Sequence, residues 1–128
     1  MNCLLDTHAF LWTVFAPEKL GRKARTAISD PGNDIHLSSV TFWEISLKFA
    51  LGKLTLTDCS PEILVRTARE MGLMLIAPDA EESASFYQLP RLPHPDPFDR
   101  MLVCQAQAHG LTLTSSEPLI RQYPVALL

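Results

Sequence analysis

Short apolar runs alternate with amphipathic stretches along the whole chain. The first apolar run ends at an aspartate, and the apolar spacing that follows is helical. Gly and Pro mark most of the boundaries between later runs. The predicted strands are residues 2–5, 35–38, 73–77, 111–115 and 125–128. The predicted helices are residues 7–15, 18–29, 40–53, 60–72, 79–89 and 98–110, with a helical turn at 117–122 and a proline-rich loop at 90–97.

The order of these elements predicts an α/β fold with a mainly parallel sheet and helices on both faces. Strands and helices alternate, and no two strand-like runs are joined by a hairpin turn sequence. The chain has 128 residues and 47% hydrophobic content, enough for one compact domain with its own core. We therefore expect a single domain over residues 1–128.

Composition excludes several classes of protein. The net charge of −3, from 11 basic and 14 acidic residues, gives no basic field of the kind that coats nucleic acid. The cysteines Cys3, Cys59 and Cys104 have no metal-like spacing, and we expect reduced thiols, two of them in the core. The first 16 residues lack a basic start and are interrupted by Asp6 and His8, unlike a signal peptide. We expect a cytoplasmic protein without membrane contact.

Acidic side chains fall where ligands bind in parallel sheets, at the carboxyl ends of strands. Asp6 ends the first strand, and Ser115 and Glu117 follow the run 111–114. Glu44 lies one to two turns into the helix after the second strand, and Asp99 lies in the first turn of its helix. Carboxylates that converge without cations normally surround a bound ion. Oxygen ligands favour magnesium or manganese.

Each acid also has an ordinary structural interpretation. Asp6 can simply cap the first helix. Glu44 can pair with Lys48, four residues later on the same helix. Asp96 and Asp99 can be an N-cap and a first-turn carboxylate, respectively. The joint placement of the four acids, rather than any single motif, supports a functional site.

Three segments resemble the PIN domain, and specifically the VapC-like toxin ribonucleases of bacterial toxin-antitoxin pairs. They are LLDTHAFLW, SSVTFWEISLKFALGKL and DPFDRMLVCQAQAHGLTLTSSE, and the resemblance runs from Asn2 to Tyr123. It implies a three-layer PIN-like fold with a central sheet flanked by helices. It also implies catalytic, metal-holding acids at Asp6, Glu44, Asp99 and Glu117, supported by Thr7, Asp96 and Ser115. Glu117 departs from the family, which usually has Asp at that place.

The resemblance implies a metal-dependent endoribonuclease that hydrolyses RNA phosphodiester bonds with Mg²⁺ or Mn²⁺. It further implies a cognate antitoxin, held by the apolar face of residues 7–15 beside 42–49, and a homodimer. A basic stretch offers candidate RNA contacts, although a solvated helix face explains it equally well. Its members are Lys19, Arg22, Lys23 and Arg25.

Two other classes of function remain open from the sequence. The substitution at Glu117 is compatible with a catalytically weak PIN-like module that binds RNA or protein. A haloacid-dehalogenase-like phosphatase or a receiver domain would use Asp6 as nucleophile or phosphoacceptor. The phosphatase needs a second Asp where this chain has His8, and the receiver needs an acidic pair and a strand lysine that are missing. The histidines, including His94, have no catalytic spacing.

Overall fold

Four parallel strands form the central sheet of the computed structural model, which describes residues 1–90, 96–123 and 125–128. The strands are β1 (Asn2–Leu5), β2 (Asp34–Ser38), β3 (Met74–Ile76) and β4 (Thr112–Thr114). Their spatial order is β3-β2-β1-β4, with Leu4 opposite both His36 and Leu113. After β1 the chain adds β2 and β3 on one side of β1, and it then adds β4 on the other side. This reversal places the topological switch point of the sheet between β1 and β4.

Helices follow or connect the strands, as the sequence predicts. They are α1 (Thr7–Phe15), α2 (Arg22–Ser29), α3 (Ser39–Ala50), α4 (Pro61–Glu70), α5 (Ala80–Ser85) and α6 (Pro97–His109). Side-chain caps begin several of them: the Ala9 amide donates to Asp6 at 2.8 Å, and the Val40 amide donates to Ser38 at 3.0 Å. Gly110 ends α6 with φ 64°, a left-handed conformation that glycine adopts without strain.

The core is divided between the two faces of the sheet. Successive side chains of a strand point to opposite faces. Cys3 and Leu5 therefore pack in one cluster, with Phe10 of α1 and Leu64 of α4. Leu4 packs in the other cluster, which contains much of α6. The predicted α/β class, with a parallel sheet between layers of helices, is confirmed.

Two predicted helices differ in the structure, and one predicted loop is largely undescribed. The helix expected at 18–29 is a 3₁₀ turn (Pro17–Lys19) followed by α2, because Gly21 is extended and Leu20 turns into the core. The helix expected at 79–89 is α5 plus a 3₁₀ turn (Phe86–Gln88). The proline-rich loop at 90–97, with His94, lies mostly outside the described residues.

The predicted last strand at 125–128 is wrong. Only one bridge forms, between Leu113 and Leu127. The Leu113 amide donates to Ala126 at 2.8 Å, and the Leu128 amide donates back to Leu113 at 3.0 Å. β4 has only three residues, and the backbone N–H and C=O groups of its first and last residues point toward β1. Only the backbone groups of Leu113 therefore point toward residues 125–128.

Two further expectations concern thiols and membranes. The three cysteines are free, with Cys3 and Cys104 buried, as predicted. Burial raises the pKa of both buried thiols, so they stay protonated and unreactive. Within the described part of the chain, no helix is both long and apolar enough to span a bilayer.

Candidate active site

Asp6 lies at the switch point of the sheet, directly after β1. Its backbone amide donates to the Thr114 carbonyl at 3.0 Å, which ties it to the end of β4. Its carboxylate caps α1 and is hydrogen-bonded to Ser115. Burial raises the pKa of Asp6 above its ordinary value, although the hydrogen bonds from Ser115 and the Ala9 amide lower it. The capping interpretation is therefore correct, but it leaves a buried carboxylate at the place where parallel sheets bind ligands.

Glu44 is buried on α3, with 3% of its surface exposed, and both of its carboxylate oxygens have partners. The Thr7 hydroxyl donates to Oε1 at 2.6 Å. The Lys48 ammonium donates to Oε2 and forms an ion pair with it. The ordinary pairing of Glu44 with Lys48 is thus present, and it compensates much of the cost of burying a carboxylate.

Thr41 is a buried polar residue of this site that the sequence analysis does not single out. Its hydroxyl oxygen lies 3.3 Å from that of Thr7 and is fully buried. The sequence carried one indication of it, because Thr41 lies three residues before Glu44 and therefore on the same face of α3. Thr7 and Thr41 together fix the orientation of the Glu44 carboxylate.

Asp96 caps α6, which agrees with the structural interpretation of that residue. Its Oδ1 accepts the Phe98 amide at 2.8 Å and, at 3.4 Å, the Asp99 amide. Pro97 occupies the first helical position, where a missing N–H has no cost. Asp96 thereby sets where α6 begins and places Asp99 in its first turn.

Asp99 is the acid whose pKa is shifted furthest from its ordinary value in this site. Burial, together with the charges of Asp96, Glu44, Asp6 and Glu117, raises the pKa of Asp99 from 3.8 to about 8. The other three predicted acids, Asp6, Glu44 and Glu117, therefore all act on Asp99. Such mutual repulsion is relieved by a cation.

Glu117 is placed differently from the other acids. The Glu117 amide donates to Ser115 Oγ at 3.0 Å, and Glu117 Oε1 accepts the Leu119 amide at 3.2 Å. The carboxylate thus caps its own turn, where Pro118 restricts the backbone. It still contributes negative charge to Asp99.

The donor set is chemically suited to a hard divalent cation, because it consists of carboxylate oxygens supported by hydroxyls. Within the described residues, no three acidic, histidine or cysteine side chains are yet close enough to share an ion. Glu44 is held by Lys48, and Glu117 is held by its own turn. Lys48 competes with a metal for Glu44, whereas only Oε1 of Glu117 is engaged by its turn.

Lys48 is the cation nearest to the acidic site in the described structure. Burial alone would lower the pKa of the Lys48 ammonium. The hydrogen bond and charge of Glu44, with the charges of Asp96 and Asp99, outweigh burial and raise the pKa of Lys48 above its ordinary value. Lys48 thus partly neutralises the acids in the metal-free protein.

Lys48→Met should destabilise the metal-free protein by about 1–3 kcal/mol, because it leaves the buried Glu44 carboxylate without its cation. Chemical unfolding in EDTA measures this loss. Lys53→Met is the matched control, since Lys53 is exposed and lies three residues beyond the end of α3. Equal losses of stability in the two variants would contradict the role assigned to Lys48.

The predicted basic stretch separates into two pairs. Arg22 and Lys23 line a groove that also contains Asp6. Lys19 lines a different hollow, and the Arg25 guanidinium donates to a carbonyl of the preceding 3₁₀ turn at 3.0 Å. The structure therefore brings Arg22 and Lys23 to the acidic site, but not Lys19 and Arg25.

Comparison with protein families identifies this arrangement. The model of the PIN domain matches residues 3–124. The chain belongs to the PIN domain family. The resemblance predicted from the sequence is thus confirmed, and the acids at the strand ends belong to a PIN domain. A search of curated proteins found no match for the chain.

Solved structures share the fold of this PIN domain at low sequence identity. VapBC2 from Rickettsia felis, bound to a DNA fragment from its promoter, matches with TM-score 0.71 and 15% identity over 100% of this chain and 98% of that one. FitAcB from Neisseria gonorrhoeae matches with TM-score 0.63 and 19% identity, over 100% and 96%. VapBC-1 from nontypeable Haemophilus influenzae matches with TM-score 0.61 and 14% identity, over 100% and 97%. The three matches establish the same fold over the whole chain.

Proposed function

We propose that this PIN domain is a metal-dependent endoribonuclease and the toxin of a toxin-antitoxin pair. The observation that carries the proposal is the pKa of Asp99, which burial, together with the charges of four other carboxylates, raises to about 8. A purely structural N-terminal turn of α6 has no need of such repulsion. A site that receives a divalent cation explains it.

Each side chain has a role in this proposal. Asp6 and Asp99 would hold Mg²⁺ or Mn²⁺, with Glu44 and Glu117 acting directly or through water. The bound cation lowers the pKa of a water ligand and neutralises charge that develops on the phosphate during hydrolysis. Thr7 orients Glu44 by its hydrogen bond of 2.6 Å, and Ser115 orients Asp6.

Cleavage of single-stranded RNA by the purified chain tests the activity. We expect cleavage with Mg²⁺ or Mn²⁺, none in EDTA, and none of a DNA of the same sequence. An increase in melting temperature on adding Mn²⁺ reports metal binding separately from cleavage. Cleavage that persists in EDTA would show that the carboxylates act without a metal and would contradict the proposal.

Glu117→Gln should weaken metal affinity or cleavage by about 10- to 100-fold, the usual cost of losing a group that supports a metal ligand. Glu117→Asp should be tolerated, because it shortens the side chain to the length usual in the family and keeps the charge. Titration of RNA cleavage with Mg²⁺ measures both variants. An unchanged curve for Glu117→Gln would leave Glu117 only the capping role that its bond to Leu119 shows.

An antitoxin is the proposed protein partner, and a homodimer in the cytoplasm is the proposed state. The names VapBC2 and FitAcB denote two-component complexes. On this chain, exposed apolar side chains on α1 and α3 offer a surface for a partner segment, namely Phe15, Leu47 and Phe49. Lys48 already shows that a cation is accepted beside Glu44. We expect the antitoxin to supply an Arg or Lys to the acids.

Co-purification with the product of the neighbouring gene tests the partner. Phe49→Asp should remove the complex without removing RNA cleavage, because Phe49 is exposed and outside the acidic cluster. A chain that is tolerated by its host and always purifies alone would contradict the pairing.

A catalytically weak binding module is the second candidate function. Its support is specific: Glu44 and Glu117, half of the predicted acids, are held by Lys48 and the Leu119 amide. Such a module would bind RNA or protein and leave RNA intact at every Mg²⁺ or Mn²⁺ concentration. The cleavage experiment therefore separates the two candidates.

A further inference from the structure

Glu44 presents its two carboxylate oxygens to different kinds of partner. Oε1 accepts the Thr7 hydroxyl at 2.6 Å, and the Thr41 hydroxyl oxygen lies 3.3 Å from that of Thr7. All three side chains are buried. Because the two hydroxyls hold Oε1, the carboxylate keeps one orientation whichever group contacts Oε2.

The partner of Oε2 is a charged side chain that reaches it from the protein surface. The Lys48 ammonium pairs with this oxygen from one turn further along α3. The exposed fraction of the Lys48 side chain is 36%, whereas that of the Glu44 side chain is 4%. Lys48 can therefore turn its ammonium into water by rotating its own stem, while Glu44 stays bound to Thr7.

The Lys48 ammonium belongs to the acidic site and is not only a neighbour of Glu44 on one helix. The charges of Asp96 and Asp99, at the start of α6, also act on it. A divalent cation bound by the acids would meet the ammonium at Glu44, where two positive charges in contact repel each other strongly. Metal binding through Oε2 and the pairing with Lys48 therefore exclude each other.

We infer that Lys48 sets the concentration of divalent cation at which the site fills, because its ammonium occupies Glu44 Oε2 in the metal-free protein and must leave for a metal to bind. The inference rests on the proposed function and adds a regulation of the same site. Lys48 is a positioning residue in this role, since it acts through Glu44.

The exchange gives Lys48 opposite effects on stability and on metal affinity. The ion pair stabilises the metal-free protein by neutralising the buried Glu44 carboxylate. A ligand that binds only after a stabilising contact has opened loses affinity in proportion to the stability of that contact. A neutral residue at position 48 should therefore weaken the metal-free fold and strengthen metal binding.

Mn²⁺ binding in the absence of RNA tests this expectation, with free Mn²⁺ measured by electron paramagnetic resonance. Lys48→Met should bind Mn²⁺ about tenfold more tightly than the wild type. Lys48→Gln should do the same and serves as a second neutral variant if the first folds poorly. Lys48→Arg keeps the charge and should retain the wild-type affinity. Unchanged Mn²⁺ affinity in both neutral variants would overturn the inference.

Two controls separate exchange at Glu44 from a general effect of charge. Lys53→Met removes one exposed positive charge beyond the end of α3 and should leave Mn²⁺ affinity unchanged. In a Glu44→Gln background, Lys48→Met should no longer raise the affinity, because the oxygen that the two cations exchange on has lost its charge. A gain that is as large in Glu44→Gln, or in Lys53→Met, would show repulsion from a distance and would overturn the exchange.

Thermal unfolding gives a second readout that is independent of cleavage. Lys48→Met should melt below the wild type in EDTA but at the wild-type temperature in saturating Mn²⁺, because the metal then neutralises Glu44 in both proteins. A difference that persists in saturating Mn²⁺ would mean that Lys48 stays on Glu44 in the metal-bound protein, and the inference would be wrong.

The failure of the inference and that of the proposed function are distinguishable. If Lys48→Met binds Mn²⁺ more tightly but the wild type cuts no RNA, the exchange is supported and the nuclease proposal is wrong. If RNA is cut with Mn²⁺ but the wild type and Lys48→Met bind Mn²⁺ equally, only the exchange is wrong. If neither protein binds Mn²⁺, both are wrong.

Discussion

Asp99→Asn should lower RNA cleavage by more than about 100-fold and raise the stability of the metal-free protein at alkaline pH. The loss of activity exceeds the range expected for a supporting group because Asp99 is a proposed metal ligand. The gain in stability follows from removing a carboxylate that is buried and that four other acids repel. The two effects have opposite signs, so a misfolded variant cannot produce both.

The pH dependence fixes the sign of the stability change. The pKa of Asp99 is raised from 3.8 to about 8, so the folded protein retains a proton that the unfolded chain releases between these values. The contribution of Asp99 to stability is thus complete below about pH 4 and is lost as the pH rises to about 8. Asn has no proton to lose. The variant should melt a few degrees higher at pH 8, on the order of 1 kcal/mol, and at the same temperature near pH 4.

Melting in EDTA at these two pH values, beside Mg²⁺-dependent cleavage, measures the prediction. Glu62→Gln is the control, because Glu62 is also a first-turn carboxylate, at the exposed start of α4. It should alter neither cleavage nor the pH dependence. A lower melting temperature for Asp99→Asn at pH 8 would mean that the carboxylate is stabilising in the metal-free protein.

The acidic site could be located from the sequence because the ends of strands and the buried faces of helices are recognisable from the spacing of neighbouring apolar residues. Asp6 directly follows three buried residues, and parallel pairing then brings it to the end of β4. Glu44 interrupts an apolar helix face, which indicated either a partner or a function. The partner is Lys48, which pairs with Glu44 inside the acidic cluster, and the function of Glu44 stays a prediction.

Features that depend on long-range packing could not be predicted in this way. The break before α2 arises because Leu20 is buried in the core and Gly21 is extended, although a glycine alone does not end the helical pattern of residues 18–29. The capping bond of Glu117 depends on the rotamer that the Pro118 turn permits. The groove beside Asp6 depends on the start of α2 and residues 127–128 lying beside α1. No local spacing encodes these arrangements.

Asp6→Asn should also lower RNA cleavage by more than about 100-fold, but with little change in stability. The carboxylate has two separable tasks: it accepts the Ala9 amide at 2.8 Å as the cap of α1, and it is a proposed metal ligand. Asn caps a helix about as well as Asp does. It has no negative charge with which to hold a divalent cation. The substitution therefore removes the proposed chemistry and keeps the cap.

Asp79→Asn is a close control for this substitution. Asp79 caps α5 by the same bond, accepting the Glu82 amide at 2.8 Å, but it is exposed and does not contribute to the acidic site around Asp99. Asp79→Asn should leave cleavage unchanged. Asp6→Ala should add a loss of about 1 kcal/mol in unfolding free energy to the loss of activity, because Ala cannot cap α1. If Asp6→Asn cleaves RNA as fast as Asp79→Asn does, Asp6 is a cap only, and the metal site proposed at the switch point of the sheet is wrong.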